Sequence, residues 1–277
     1  MGELREQEVR LRIAVPSANA DLISGELWRL GTLGIEERDE GAQIVLLAGF
    51  SSAHTAEAAA RSLETFSVVE EFESHDYLDV WREFATIYRA GNRIVIRPPW
   101  VHYEPKASEL VVGIDPGRSF GSGSHPSTRL ALAELEQLLE GNESVLDVGC
   151  GSGILSVAAA RLGATRVLGI DIDPAAIEVT TRNAKSNGVA DLVTATAIPI
   201  EAADGTYDVV ISNMLASLLS SHGPHLVTMV RPGRRLVLSG LLSSQVDQVA
   251  DSCTPLQLLT TRHCDAGEGD WVSVTLG

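Results

Sequence analysis

The sequence predicts an α/β protein in two parts: a doubly wound domain on a parallel sheet, preceded by a small α+β unit. Three observations predict it. From Ser144 onward, short apolar β-branched runs alternate with segments of helical spacing. Between the first such run and the first such helix lies a turn with three glycines at alternate positions, Gly149, Gly151 and Gly153. Residues 8–72 follow a different order: strand, helix, strand, strand, helix, strand.

Taken in order, Val9, Leu11, Ile13 and Val15 alternate with Arg10, Arg12 and Ala14, as a strand with one buried face should. Leu22, Ile23, Leu27 and Leu30 follow at helical spacing, and Gly31 and Gly34 close that helix. A strand from Ile35 to Arg38, a turn at Glu40-Gly41 and a strand from Ile44 come next. A helix over 55–63 and a strand over 68–72 complete a ferredoxin-like split unit. Residues 1–75 carry 6 basic and 14 acidic residues, which disfavours RNA binding by this unit. Residues 73–108 read as a connector: aromatics Tyr77, Trp81 and Phe84 at helical spacing, a strand over 93–97, then Pro98-Pro99-Trp100. The expected division is therefore 1–72, 73–108 and 109–277.

The larger domain opens with a strand over 110–114, a loop from Ser119 to Thr128 and a helix over 130–139. Strands are expected at 144–148, 166–171, 191–196, 207–212 and 234–239. Helices are expected at 153–162, 174–187, 214–230 and 243–253, and strands at 256–262 and 271–276 close the chain. Pro174 and Gly188 are start and stop signals for one of these helices. A sheet of this type takes its ligands at the carboxyl ends of its strands.

Composition narrows the class. Of 277 residues, 44% are hydrophobic and 21% charged, as in a globular protein, and no apolar run is long enough to span a bilayer. The charged N-terminus is unlike a signal peptide. Cys150, Cys253 and Cys264 are odd in number and lack metal-ligand spacing, so a reduced, cytoplasmic protein with no metal site is expected. The formal charge of −16 repels nucleic acid and attracts basic partners, although it also serves plain solubility. The expected state is a monomer without direct nucleic-acid or membrane contact.

The glycine turn carries the chemistry. Glycine lets the backbone turn sharply and touch a ligand, because a Cβ would clash there. The helix behind it aims free N–H groups at the loop. A dinucleotide turn reads Gly-x-Gly-x-x-Gly, whereas here the third glycine arrives one position early and position 154 is Ile. The next strand ends in Asp171, about twenty residues after Gly149, where a carboxylate can accept both ribose hydroxyl protons. A nucleoside site is the reading; a tight turn with a capping Asp is the plain alternative.

Four segments together resemble the PrmA family of ribosomal protein methyltransferases. They are Phe120 to Thr128, Asp147 to Gly153, Gly169 to Pro174, and Ser212-Asn213-Met214-Leu215-Ala216. The Leu238-Ser239-Gly240-Leu241-Leu242 run and the N-terminal unit also fit, so the resemblance covers nearly the whole chain. The family usually has Thr where Ser122 and Ser124 stand, and Trp where Tyr77 stands. The resemblance implies a class I S-adenosylmethionine-dependent methyltransferase domain. Its N-terminal domain would recognise the eleventh large-subunit ribosomal protein, a basic substrate, for methylation on lysine side-chain and N-terminal amino groups. Carried over by position, Thr128, Gly149, Asp171 and Asn213 would hold S-adenosylmethionine, with Gly151 part of the same loop.

Local chemistry supports these positions without deciding them. Thr128 offers a hydroxyl to the methionine carboxylate, or is an ordinary helical threonine. Asn213 caps the helix that follows its strand, and its amide oxygen can also accept a hydrogen bond from a substrate amine; both roles are expected, with Asn213 the catalytic residue. His125 either belongs to a loop folding over the cofactor or caps its own loop. No residue stands out as a general base. Two other readings stay open: methylation of a non-ribosomal protein lysine, or of a small molecule, on the same fold. An Asn-Pro-Pro-aromatic tetrad would favour base methylation, but Asn213 is followed by Met-Leu-Ala.

Overall fold

A computed structural model describes residues 9–16, 19–32, 34–39, 43–50, 52–63, 67–71, 86–117, 121–265, 267 and 269–277. The chain divides into two compact units, Met1–Phe84 and Ala85–Gly277.

The first unit runs β1 (Val9–Pro16), α1 (Ala20–Arg29), β2 (Gly34–Asp39), β3 (Gln43–Phe50), α2 (Ala53–Ser62) and β4 (Ser67–Glu71). Its sheet has the order β2-β3-β1-β4, with every pair antiparallel. That is the ferredoxin-like arrangement expected from the element order. The alternation in β1 sends Val9, Leu11, Ile13 and Val15 into one core with Leu27, Leu46, Phe50 and Ala56. Ser52 caps α2 by accepting from the Thr55 N–H at 3.3 Å.

The second unit begins with β5 (Tyr88–Ala90), β6 (Ile94–Arg97) and β7 (Leu110–Gly113). These three form their own small sheet, in which β6 pairs in parallel with β7 from Ile94–Leu110 to Arg97–Gly113. The second half of the expected connector packs on its neighbours: its strand, β6, shares a ladder with β7, and Ile94 and Ile96 lie in the same core as Val112. The expected aromatic helix with Tyr77 and Trp81 lies outside the described residues, as does Phe120.

Then follow α3 (Pro126–Leu138), β8 (Ser144–Val148), α4 (Ile154–Arg161), β9 (Arg166–Asp171), α5 (Pro174–Ser186), β10 (Val193–Ala197) and β11 (Tyr207–Asn213). The chain ends with α6 (Ala216–Thr228), β12 (Val230–Leu242), α7 (Val246–Ser252), β13 (Leu258–His263) and β14 (Trp271–Leu276). The seven-stranded sheet has the order β10-β9-β8-β11-β12-β14-β13. The first five are parallel, and β14 runs antiparallel to both its neighbours. Helices cover both faces, each over a separate core cluster.

Several boundaries differ from expectation, three of them as follows. Helix α3 starts at Pro126 because proline suits the first helical turn and His125 caps it. Strand β12 runs to 13 residues, well beyond 234–239, because β11 and β14 flank it on both sides. The helix expected at 243–253 opens as a 3-10 turn, Ser243–Gln245, before α7.

This topology places the site. The chain builds β8, β9 and β10 outward, then returns to lay β11 on the other side of β8. The strand order reverses between β8 and β11, and ligands sit at such a switch point.

Candidate functional site

The glycine loop leaves β8 with Gly149, Gly151 and Gly153 all at positive φ (74°, 52° and 76°), where a side chain is strained. Space is tight as well at two of the three. A Cβ on Gly149 would lie 2.9 Å from Met214 Sδ, and one on Gly153 would lie 2.7 Å from Thr180 Cγ2. The N–H groups of Gly149 and Cys150 both donate to the Ile170 carbonyl, at 2.9 and 3.0 Å, which ties the loop to the end of β9.

At that end, Asp171 accepts from the Gly151 N–H and the Asp173 N–H, each at 3.0 Å, one on each carboxylate oxygen. Its carboxylate is thus oriented over the glycine loop. The next residue, Ile172, is 79% exposed. Asp173 caps α5 through the Ala175 N–H at 2.9 Å, with Pro174 in the first turn.

Behind the loop sits Asp147, fully buried. One oxygen accepts from the Ser156 N–H (3.0 Å) and hydroxyl (2.6 Å); the other has no partner among the described residues. Burial lifts this carboxyl to about 7, the Ser156 bonds opposing and the nearby Asp171 charge adding to the rise. Burial likewise pushes the Cys150 thiol far above its ordinary range, so it is inert.

Across the switch point, Asn213 at the end of β11 donates from Nδ2 to Thr128 Oγ1 at 3.2 Å. These residues stand 85 positions apart, and Thr128 is buried in the first turn of α3. The capping role expected of Asn213 is not observed, because α6 starts only at Ala216 with Leu215 at the cap position. His125 caps α3: its Nδ1 accepts from the Ser127 N–H at 3.2 Å, and its ring meets Trp271 edge-on at 4.5 Å. Burial, assisted by the Arg129 charge, lowers His125 to about 4, so it is neutral at physiological pH.

Several site residues carried no sequence signal of their own. Ser152 donates to the Gly121 carbonyl at 2.7 Å, joining the 121–125 loop to the glycine loop. Asn183 donates to the Ser152 carbonyl (2.8 Å) and the Asp115 carbonyl (3.0 Å), and Asn187 brackets the Gly113 backbone. Asn183 and Asn187 stand four apart on α5, a polar pair on one helix face, and that spacing was the available clue. Ser239 is visible in the sequence only within the Leu238–Leu242 run that fits the family resemblance.

Residues 43–276 match the family model described as ribosomal protein L11 methyltransferase (PrmA). The chain is 38% identical over 281 residues to the ribosomal protein L11 methyltransferase of Syntrophotalea carbinolica, covering 90% of this chain and 92% of that protein. It is 42% identical over 226 residues to that of Chromobacterium violaceum, covering 81% and 72%. Among solved structures, the ribosomal protein L11 methylase of Lactobacillus delbrueckii subsp. bulgaricus superposes with a TM-score of 0.62 at 26% identity. That match covers 69% of this chain and 96% of the other.

Proposed function

Because the chain belongs to the ribosomal protein L11 methyltransferase (PrmA) family, we propose that it transfers methyl groups from S-adenosylmethionine to lysine side-chain and N-terminal amino groups of that ribosomal protein. The residues present fit such a cofactor. Three glycines at positive φ line the backbone approach, a carboxylate stands over them, and an exposed isoleucine adjoins it. We assign the ribose hydroxyls to Asp171, the close backbone approach to Gly149 and Gly151, and an apolar face for the base to Ile172.

S-adenosylmethionine supplies a methyl group on a sulfonium centre that is electrophilic without further activation. The chain's task is positioning, which contributes on the order of 7–11 kcal/mol in well-oriented reactions. The Thr128–Asn213 bond is the observation that carries the reading. Because Thr128 Oγ1 accepts from the amide, its own hydroxyl proton is available to a carboxylate ligand. Because Asn213 Nδ2 is committed to Thr128, its Oδ1 is the atom that receives an amine N–H. A lysine amine has an ordinary pKa near 10.4 and must arrive unprotonated, which a desolvated site favours.

The acidic surface suits a basic ribosomal protein. Free cysteines support a reducing cytoplasmic setting, and the strong net charge supports a monomer. No helix among the described residues is long and apolar enough to cross a membrane. The test combines two measurements: calorimetric titration with S-adenosylmethionine, and transfer of labelled methyl to the purified ribosomal protein. Uptake of the cofactor with label appearing on that protein is expected. Failure to bind it, or label on other lysates' proteins and never on this one, refutes the assignment.

A further inference from the structure

We propose that Ser239, with the bulge it forms at Gly240, is a positioning residue for the amide of Asn213; the inference rests on the function assigned above. Ser239 lies on β12 directly opposite Asn213 in the parallel register, and it is fully buried. Its hydroxyl donates to the Ser127 carbonyl at 2.8 Å, on the residue before Thr128. Its carbonyl accepts from the Met214 N–H at 3.2 Å, on the residue after Asn213. With the Asn213–Thr128 bond these contacts close a ring through three segments: the start of α3, the end of β11 and the middle of β12.

The ring does something no single bond does. Thr128 and Asn213 are both side chains at element ends, and one hydrogen bond leaves them free to hinge together. Ser239 grips the backbone beside each of them, so their separation and direction are set by a buried strand. Its neighbour completes the fit. The ladder between β12 and β14 is irregular between Ser239 and Leu241, and Gly240 there has φ +87°. A Cβ on Gly240 would overlap the Met214 carbonyl oxygen and lie 3.1 Å from Asn213 Oδ1. The bulge thus lets the Asn213-Met214 turn lie flat on β12, with Oδ1 held at a fixed height above the sheet. A residue that sets an acceptor atom's place acts on turnover, since a displacement of about 1 Å in a reacting pair can cost a hundredfold.

The experiment uses the full chain with Ser239→Ala and Ser239→Cys, the second nearly isosteric with a weak donor. Expected for Ser239→Ala is kcat about tenfold lower, with the cofactor Kd and the KM for the ribosomal protein within about threefold of wild type. Ser239→Cys should fall between the two. In the ligand-free protein, the Asn213 side-chain amide protons should exchange faster in Ser239→Ala, as read by NMR. An unchanged kcat and an unchanged Asn213 signal would overturn the role. So would parallel losses of kcat, cofactor binding and Tm, which mark a purely structural serine. Wild-type chain that binds the cofactor yet methylates no ribosomal protein would instead overturn the function on which the role rests.

Discussion

Replacing Asp147 by asparagine should remove a pH dependence that the wild-type chain carries in its core. The carboxyl has an ordinary value of 3.8 and is raised by burial to about 7. The unfolded chain therefore gives up this proton near pH 4, while the folded chain holds it until near neutrality. Over that interval the folded state binds more protons, so stability falls as pH rises, and the loss is complete above about pH 7. A difference of about three pH units corresponds to about 4 kcal/mol in full, of which roughly 2 to 3 kcal/mol falls between pH 5 and 8. Asparagine keeps an oxygen for the Ser156 N–H and hydroxyl but cannot ionise. Urea unfolding of both proteins at pH 5, 6, 7 and 8 provides the assay. The stability of Asp147→Asn relative to wild type should climb by that amount across the series. A difference that stays flat would show that Asp147 is ionised in the fold, and that a partner or water satisfies its second oxygen.

Asp171→Ala should raise the cofactor Kd between tenfold and a hundredfold by calorimetry, because a charged acceptor of two backbone N–H groups is lost. Asn213→Ala should lower kcat by a similar factor with cofactor affinity changed much less, and equal behaviour of the two variants would contradict the division of roles. Gly153→Ala should destabilise the chain by about 2 kcal/mol or more, combining a positive φ with a Cβ forced into Thr180, and thermal unfolding measures it. The His125 ring, neutral down to about 4 because it is buried against Trp271, should show no NMR titration between pH 5.5 and 8, and a midpoint near 6.5 would mean that the ring is open to water.

Local sequence made the cradle legible. Strand, glycine loop and helix follow one another between Ser144 and Arg161, and Asp171 ends the next strand, so chain connectivity alone brings them within reach. The ferredoxin-like unit was legible for the same reason, since its alternating apolar residues declare which face is buried. The pairing of β6 is not legible in the sequence, because its partner β7 begins 16 residues further on and a strand's pattern does not name its neighbour. The capping by His125 is not legible until the helix start at Pro126 is known.

What the sequence by itself determined is therefore the set of conformations each segment must adopt: glycines where φ turns positive, proline and aspartate where a helix begins, alternation where a strand lies half buried. Only the tertiary structure decided which of those segments meet. Thr128, Asn213 and Ser239 come together because β11 returns beside β8 and β12 lies beyond it, an order fixed by packing among strands far apart in the chain. The same packing strips water from Asp147 and moves its ionisation toward neutrality. Hydrogen bonds spanning 85 and 112 residues have no local signature, since they depend on long-range burial rather than on neighbours in sequence.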